Sequence, residues 1–167
     1  LVAYAEDAFT VTPLTDDTAN IRLFLDDLAP DIMPVDGQRT DRGIAWAAQL
    51  LVQADARGGD ILVLTDRADT AAMAAATVAR TRGYTVSVLG LGTAAGAAYR
   101  GSDGVIGRAA LDAASLRGLA AAGGGRYQVL TADAGDLSAL GMQSAEQVAV
   151  GITSTGGGKA IRLSMAL

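Results

Sequence analysis

Asp60-Ile61-Leu62-Val63-Leu64-Thr65-Asp66 sets four consecutive branched apolar residues between polar ends, the pattern of a strand buried on both faces of a parallel sheet. An alanine-rich stretch from about Thr70 to Arg82 follows, stops at Gly83, and gives way to Tyr84-Thr85-Val86-Ser87-Val88-Leu89, a second strand of the same kind. The order strand, helix, strand predicts a parallel pair with a helical crossover.

Downstream, Gly90 to Gly104 reads as a glycine-rich loop, Asp112 to Ala122 as a helix ended by Gly123-Gly124-Gly125, and Tyr127 to Leu130 as a short strand. Upstream, Leu1 to Ala5 and Phe9 to Leu14 read as a hairpin with Glu6-Asp7 at its turn. Ile21, Phe24, Leu25 and Leu28 mark one face of a helix that Asp16, Asp17 or Thr18 can cap and that ends at Ala29-Pro30. Pro30, Pro34 and Gly37 make 31–37 a loop, and Ile44, Ala47, Ala48, Leu51 and Val52 mark a second amphipathic helix, closed by Gly58-Gly59. Elements alternating at this spacing predict a three-layer, doubly wound α/β sandwich, Rossmann-like, with a mainly parallel sheet and one antiparallel edge strand.

Past Leu140 the composition changes. Gly141 to Ala149 could hold a small helix, Thr153-Ser154-Thr155-Gly156-Gly157-Gly158 reads as linker, and Lys159 to Leu167 is apolar enough for a strand. The expected division is a domain over 1–140 and a tail over 141–167 that could complete the sheet.

Composition narrows the function. The chain has 167 residues, 50% hydrophobic, with 13 Lys+Arg against 18 Asp+Glu and a net charge of -5, so it is one domain without a basic field for nucleic acid. It has no cysteine and no histidine, which removes thiol and imidazole nucleophile chemistry and the usual zinc sites. No run approaches the roughly 20 apolar residues of a membrane span, and an opening with neither Met nor a basic leader reads as a piece of a longer chain.

Open α/β sheets place ligand sites beyond the carboxyl ends of their strands, which selects three loops. Leu64-Thr65-Asp66-Arg67-Ala68-Asp69 delivers a hydroxyl and two carboxylates there, suited to a hard cation or a cationic partner group. Its bland reading is that Asp69 or Thr70 caps the next helix. Pro34-Val35-Asp36-Gly37-Gln38-Arg39-Thr40-Asp41 is a polar loop entering a helix. Gly90-Leu91-Gly92-Thr93-Ala94-Ala95-Gly96 superficially resembles a dinucleotide fingerprint, but its third glycine comes one residue late and no helix follows. Gly156-Gly157-Gly158-Lys159-Ala160 is no phosphate loop, because Thr153 stands where the first glycine belongs and Ala160 replaces the magnesium-binding hydroxyl.

Taken together, Leu1-Val2-Ala3-Tyr4-Ala5, Ala8-Phe9, Thr12-Pro13-Leu14-Thr15-Asp16-Asp17, Leu28-Ala29-Pro30-Asp31-Ile32-Met33-Pro34-Val35, Asp60 to Asp66 and Gly124-Gly125-Arg126-Tyr127 resemble a von Willebrand factor type A (VWA) domain over about residues 1–140. The subgroup resembled is the bacterial aerotolerance (Bat) proteins. The resemblance implies a non-catalytic protein-interaction module, a soluble domain of an inner-membrane protein on the periplasmic face. It also implies partners among MoxR-type AAA+ ATPases or other Bat proteins, in stress tolerance or complex maturation.

Many VWA domains hold Mg²⁺ at a metal-ion-dependent adhesion site (MIDAS) built from an Asp-x-Ser-x-Ser motif, a loop Thr and an Asp after a later strand. Asp66 matches that last ligand, Gln38 follows Gly37 where the Thr belongs, with Thr40 two places late, and Arg67 replaces the usual Gly. The family's first strand, with its motif, is absent from the start of the chain, so no bound metal is expected and Asp66 is the one matching ligand. The partner-binding residues expected are Asp36, Gln38, Arg39, Thr40, Asp41, Asp66, Arg67 and Asp69. The alternatives are a Mg²⁺-dependent adhesion domain completed by the longer protein and, remotely, a small-molecule-binding Rossmann-like enzyme.

In VWA folds the first strand is central, so its slot must be filled. Three fillers are open: the longer protein, the segment Ala160 to Ala166, and strand exchange between two chains as a homodimer.

Overall fold

A computed structural model describes residues 1–15, 17, 21, 33–100, 106–130 and 148–153. Its elements are β1 (Val2–Tyr4), β2 (Ala8–Thr10), α1 (Thr40–Gln53), β3 (Gly59–Thr65), α2 (Thr70–Thr81), β4 (Tyr84–Gly90), β5 (Ala97–Arg100), β6 (Ile106–Ala109), α3 (Ala113–Gly123), β7 (Gly124–Val129) and β8 (Val148–Thr153). Six strands form one sheet in the order β2-β1-β8-β3-β4-β7. From β1 to β7 neighbours run parallel, while β2 runs antiparallel to β1 at the edge.

The period-2 pleat sorts the sheet residues to two faces. Ile61 and Val63 of β3 and Val86 and Val88 of β4 point to one face, where Ile44, Ala47, Ala48 and Leu51 of α1, Ala72, Ala76 and Ala79 of α2, and Leu116, Leu119 and Ala120 of α3 pack on them. Burying a Leu, Ile or Val side chain contributes about 1.5–3 kcal/mol each, so this cluster holds the helices to the sheet. Alanine on α2 lets that helix approach both neighbours closely. Leu62, Leu64 and Leu89 alternate to the opposite face and are also fully buried, so that face too is closed to water. The helix predicted over 17–28 lies, Asp17 and Ile21 apart, outside the described residues.

Of the two caps read for the helix after β3, Asp69 is the one observed, and Asp112, read as the first residue of its helix, is itself a cap. Asp69 accepts from the Ala72 N–H at 2.8 Å at the start of α2, and Asp112 accepts from the Ala114 and Ser115 N–H groups, each at 3.1 Å, at the start of α3. Gly124 takes φ +72° to turn α3 directly into β7, a left-handed conformation that explains a glycine there.

Three readings need correction. Part of the Gly90 to Gly104 loop is a strand: β5 pairs antiparallel with β6 in a separate two-stranded sheet. Its residues, Ala97-Ala98-Tyr99-Arg100 and Ile106-Gly107-Arg108-Ala109, lack the apolar alternation that announces a strand. Val148 and Ala149 lie in β8, not in a small helix, and Thr153 ends that strand instead of opening a linker. Finally, the central slot between β1 and β3 is filled by Val148–Thr153 and not by Ala160 to Ala166, which lie outside the described residues. The register sets Val2, Ala3 and Tyr4 beside Gly151, Ile152 and Thr153 on one side, and Asp60 to Leu64 beside Val148 to Ile152 on the other. Two strand edges that would otherwise face each other unpaired are thereby satisfied.

Candidate functional site

The carboxyl ends of β1, β3, β4 and β8 share one edge of the sheet, because these strands are parallel. The loop after β3 is anchored there at three points. Buried Thr65 donates its hydroxyl to the Arg67 carbonyl at 2.9 Å, the Asp112 N–H donates to the Asp66 carbonyl at 2.8 Å, and the Ala68 N–H donates to Ser115 Oγ at 3.1 Å. The start of α3 therefore holds the backbone on which Asp66 and Arg67 stand.

The loop before α1 is fixed to the end of β1. The Arg39 N–H donates to the Ala5 carbonyl at 2.8 Å, and Gly37 lies so close to the β1–β2 turn that an added Cβ would stand 2.5 Å from the Glu6 nitrogen. That approach explains a glycine at 37. The next residue, Gln38, then reaches across: its Nε2 donates to Asp66 Oδ1 at 2.8 Å, and its Oε1 accepts from Arg67 Nε at 2.5 Å. One neutral amide joins the carboxylate and the guanidinium, and with them the two loops.

An ionic network lies beside this bridge. Arg39 donates through Nε and Nη2 to the two oxygens of Asp41, at 2.9 and 2.8 Å, the two-pronged geometry that guanidinium and carboxylate favour. This hydrogen bond with Arg39 holds the Asp41 carboxyl below the usual carboxylate range, and the same bond raises Arg39 above its ordinary value. Arg39 and Arg42 each also approach Glu6 at 3.7 Å, and Arg42 is paired with Asp7. The backbone N–H of Ser115 is the first cause that holds the Asp112 carboxyl low.

Of the eight residues expected to meet a partner, the structure brings Gln38, Asp66 and Arg67 into one cluster, with Arg39 and Asp41 paired next to it. Asp36 is exposed on the same loop. Thr40 is a correction: it is buried at 3% exposure, its hydroxyl donating to the Tyr4 hydroxyl at 3.5 Å, and the Tyr4 hydroxyl donates in turn to the Leu64 carbonyl. It is held inside the fold where a partner cannot reach it. Asp69 is exposed but serves as the cap of α2.

Sequence reasoning overlooked Glu6, Arg42 and Ser115. Glu6-Asp7 had only the look of turn chemistry, and nothing local in the sequence shows that the turn packs against the start of α1. Ser115 carried a usable signal, standing three residues after a helix-capping Asp.

The architecture and edge site define a mainly parallel α/β domain whose polar cluster lies where open sheets place their ligand sites. The chain is similar to the crystal structure of the conserved hypothetical protein BatB from Bacteroides thetaiotaomicron, with 27% identity and a TM-score of 0.75 over 83% of this chain and 73% of that one. It is also similar to an aerotolerance-related membrane protein from Bacteroides fragilis NCTC 9343 carrying multiple mutations to serines, with 27% identity and a TM-score of 0.76 over 85% of this chain and 76% of that one. Both likenesses agree with a Bat-type, VWA-like domain, the resemblance already carried by the sequence. No protein-family model matches the chain, and no curated protein does. Among the described residues no helix is long and apolar enough to cross a membrane.

Proposed function

We propose that this chain is a non-catalytic protein-interaction domain of a membrane-associated assembly, and that its contact surface is the carboxyl edge of the sheet. The observation that carries this is the Gln38 bridge, which fixes Asp66 and Arg67 in one orientation before any partner arrives. A surface ordered in advance loses less side-chain entropy on binding, which suits recognition. Asp36, Arg39 and Asp41 extend it, and the partner class is a MoxR-type AAA+ ATPase or another Bat protein on the periplasmic side.

The same residues do not fit a divalent cation. A hard cation takes about six oxygen ligands, whereas Asp66 Oδ1 already accepts from Gln38 and a guanidinium is hydrogen-bonded to that same amide. The strand in the central slot brings no replacement, since the sequence from Gln147 to Leu167 contains no Asp or Glu. Among the described residues no three His, Cys, Asp or Glu side chains converge. In this reading the edge is a degenerate adhesion site that works without metal.

The test is capture of a purified MoxR-type ATPase or Bat protein by the immobilised domain, in EDTA and again in Mg²⁺. Asp66→Ala should weaken capture at least about tenfold while the melting temperature holds, since it removes a charge-assisted hydrogen bond at the contact surface. Unchanged capture overturns the surface. Saturable heat on titration with Mg²⁺ that Asp66→Ala abolishes would return the Mg²⁺-dependent adhesion reading, and stabilisation by a nucleotide the enzyme reading.

A further inference from the structure

Charged groups at this edge differ in how they are satisfied. Arg39 is paired with Asp41 and Glu6, and Arg42 with Asp7 and Glu6. Asp69 and Asp112 accept backbone N–H groups at helix starts. Arg67 has a carboxylate one residue before it, Asp66, and another two residues after it, Asp69, yet among the described residues it is ion-paired with neither and its side-chain partner is the neutral Gln38 amide. Only its Nε is used in that bond. The guanidinium is exposed, no carboxylate among the described residues pairs with it, and its Nη groups are the donors that a carboxylate engages two at a time.

We propose that Arg67 is a carboxylate-binding residue that takes a partner's Asp or Glu side chain directly, without metal, and that Gln38 is its positioning residue. This rests on the carboxyl edge being the contact surface. Gln38 does two things at once. Its amide N–H occupies Asp66, so that Asp66 does not draw Arg67 onto itself, and its carbonyl oxygen holds Nε, so that the guanidinium keeps one orientation. Thr65 and Ser115 fix the backbone beneath it.

The surroundings also set which carboxylate is accepted. Asp66, Asp69 and Asp112 stand apart along the loops of the same edge and the chain carries -5 overall, so a polyacidic segment is repelled. The ligand is a single carboxylate in an otherwise neutral or basic segment.

The experiment is an NMR titration of the full 167-residue chain in EDTA, following the Arg67 Nε–Hε signal and the backbone N–H signals of residues 65–69, the latter being the readout shared with Arg67→Gln. The probe is the blocked peptide acetyl-Gly-Asp-Gly-amide, with its Asn counterpart and a blocked tri-aspartate as comparisons. The result expected is a saturable shift with the Asp peptide, none with the Asn peptide and no gain with tri-aspartate. Arg67→Gln should abolish it, and Gln38→Ala should weaken it about tenfold or more although Arg67 remains, because an unheld guanidinium loses its orientation. Arg67 is exposed, so melting temperatures should stay level and separate lost binding from lost folding.

The proposal is overturned if the shift does not saturate, if it persists in Arg67→Gln, or if it needs Mg²⁺ and disappears in Asp66→Ala. The two readings fail differently. If the peptide binds through Arg67 but Arg67→Gln captures the protein partner as well as the parent does, carboxylate binding stands and the contact surface falls. If partner capture needs Arg67 and the peptide does not bind, the surface stands and the carboxylate assignment falls.

Discussion

Replacing Gly37 by alanine strikes the point where fold and site meet. The added methyl group would lie 2.5 Å from the Glu6 nitrogen, 2.7 Å from its Cα and 2.9 Å from the Ala5 carbonyl carbon. All three are backbone atoms of the β1–β2 turn, so no side chain can swing aside. Ordinary van der Waals separation requires a shift of about 1 Å. Overpacking of this kind costs about 1–3 kcal/mol, which in a domain of this size lowers the melting temperature by about 2–12 °C. The same shift is transmitted to Gln38, one residue on, whose bonds of 2.8 and 2.5 Å do not survive a 1 Å displacement. Two readings should therefore move together: the thermal midpoint followed by circular dichroism, and the Arg67 Nε–Hε signal. Gly58→Ala is the comparison, because its new Cβ would meet nothing closer than the Gly83 carbonyl at 3.7 Å, and it should cost no more than about 0.5 kcal/mol. Equal midpoints for the two variants, or an Arg67 signal unmoved by Gly37→Ala, would refute the coupling of the turn to the site.

Two further perturbations test the edge network and the sheet. Asp41 titrates below its usual range because Arg39 binds its charged form, so its contribution is present above the unfolded carboxylate pKa of 3.8 and is lost as pH falls through the lower folded value. Urea unfolding of Asp41→Asn across pH should therefore show a gap from the parent below about 1 kcal/mol at pH 7 that closes toward acid; a gap independent of pH would contradict the pairing. The chain has no cysteine, so a pair placed at Ala3 and Ile152, which are Cα partners across β1 and β8, should oxidise to a cross-linked monomer. Cross-linking of Ala3→Cys with Leu163→Cys instead would give the slot to the other segment, and a covalent dimer would mean the strand is exchanged between copies.

How much of this was legible depended on punctuation. Strands β3 and β4 and helix α2 stand within a residue or two of their predicted ends because Asp60, Asp69, Gly83 and Gly90 bracket runs with one clear period. Strand β8 escaped for the opposite reason. In Val148-Ala149-Val150-Gly151-Ile152-Thr153 small residues alternate with branched ones, so no contrast between polar and apolar marks the pleat, and the hydroxyls and glycines that follow suggest a linker. The empty slot itself came from the resemblance, and so did the segment of this chain offered for it, Ala160 to Ala166, whose Leu163-Ser164-Met165 echoes the end of the family's first strand, whereas position beside β1 and β3 depends on how the chain returns across the sheet. The cluster was half legible. Gln38, Asp66 and Arg67 were all singled out, but their mutual bonds join positions 28 and 29 residues apart, and such distances have no local signature.

The central strand and the bridge bear on one question from two sides. A cation at the carboxyl edge of such a sheet needs acids converging from more than one element. The slot is where a further acid would come from, yet no Asp or Glu follows Glu146 in the sequence that fills it. At the neighbouring position, Arg67 sets a positive charge beside the one matching carboxylate, and Gln38 binds both. Together they set an amide N–H on the Asp66 oxygen that would face a cation, and a guanidinium beside it where a cation would supply the charge. On the metal-free reading proposed above, adding a single acid at this edge should not create a cation site. Thr153→Asp, at the carboxyl end of β8, would add one carboxylate to an edge that already carries the Arg67 guanidinium, and Mg²⁺ titration of that variant should show no saturable heat.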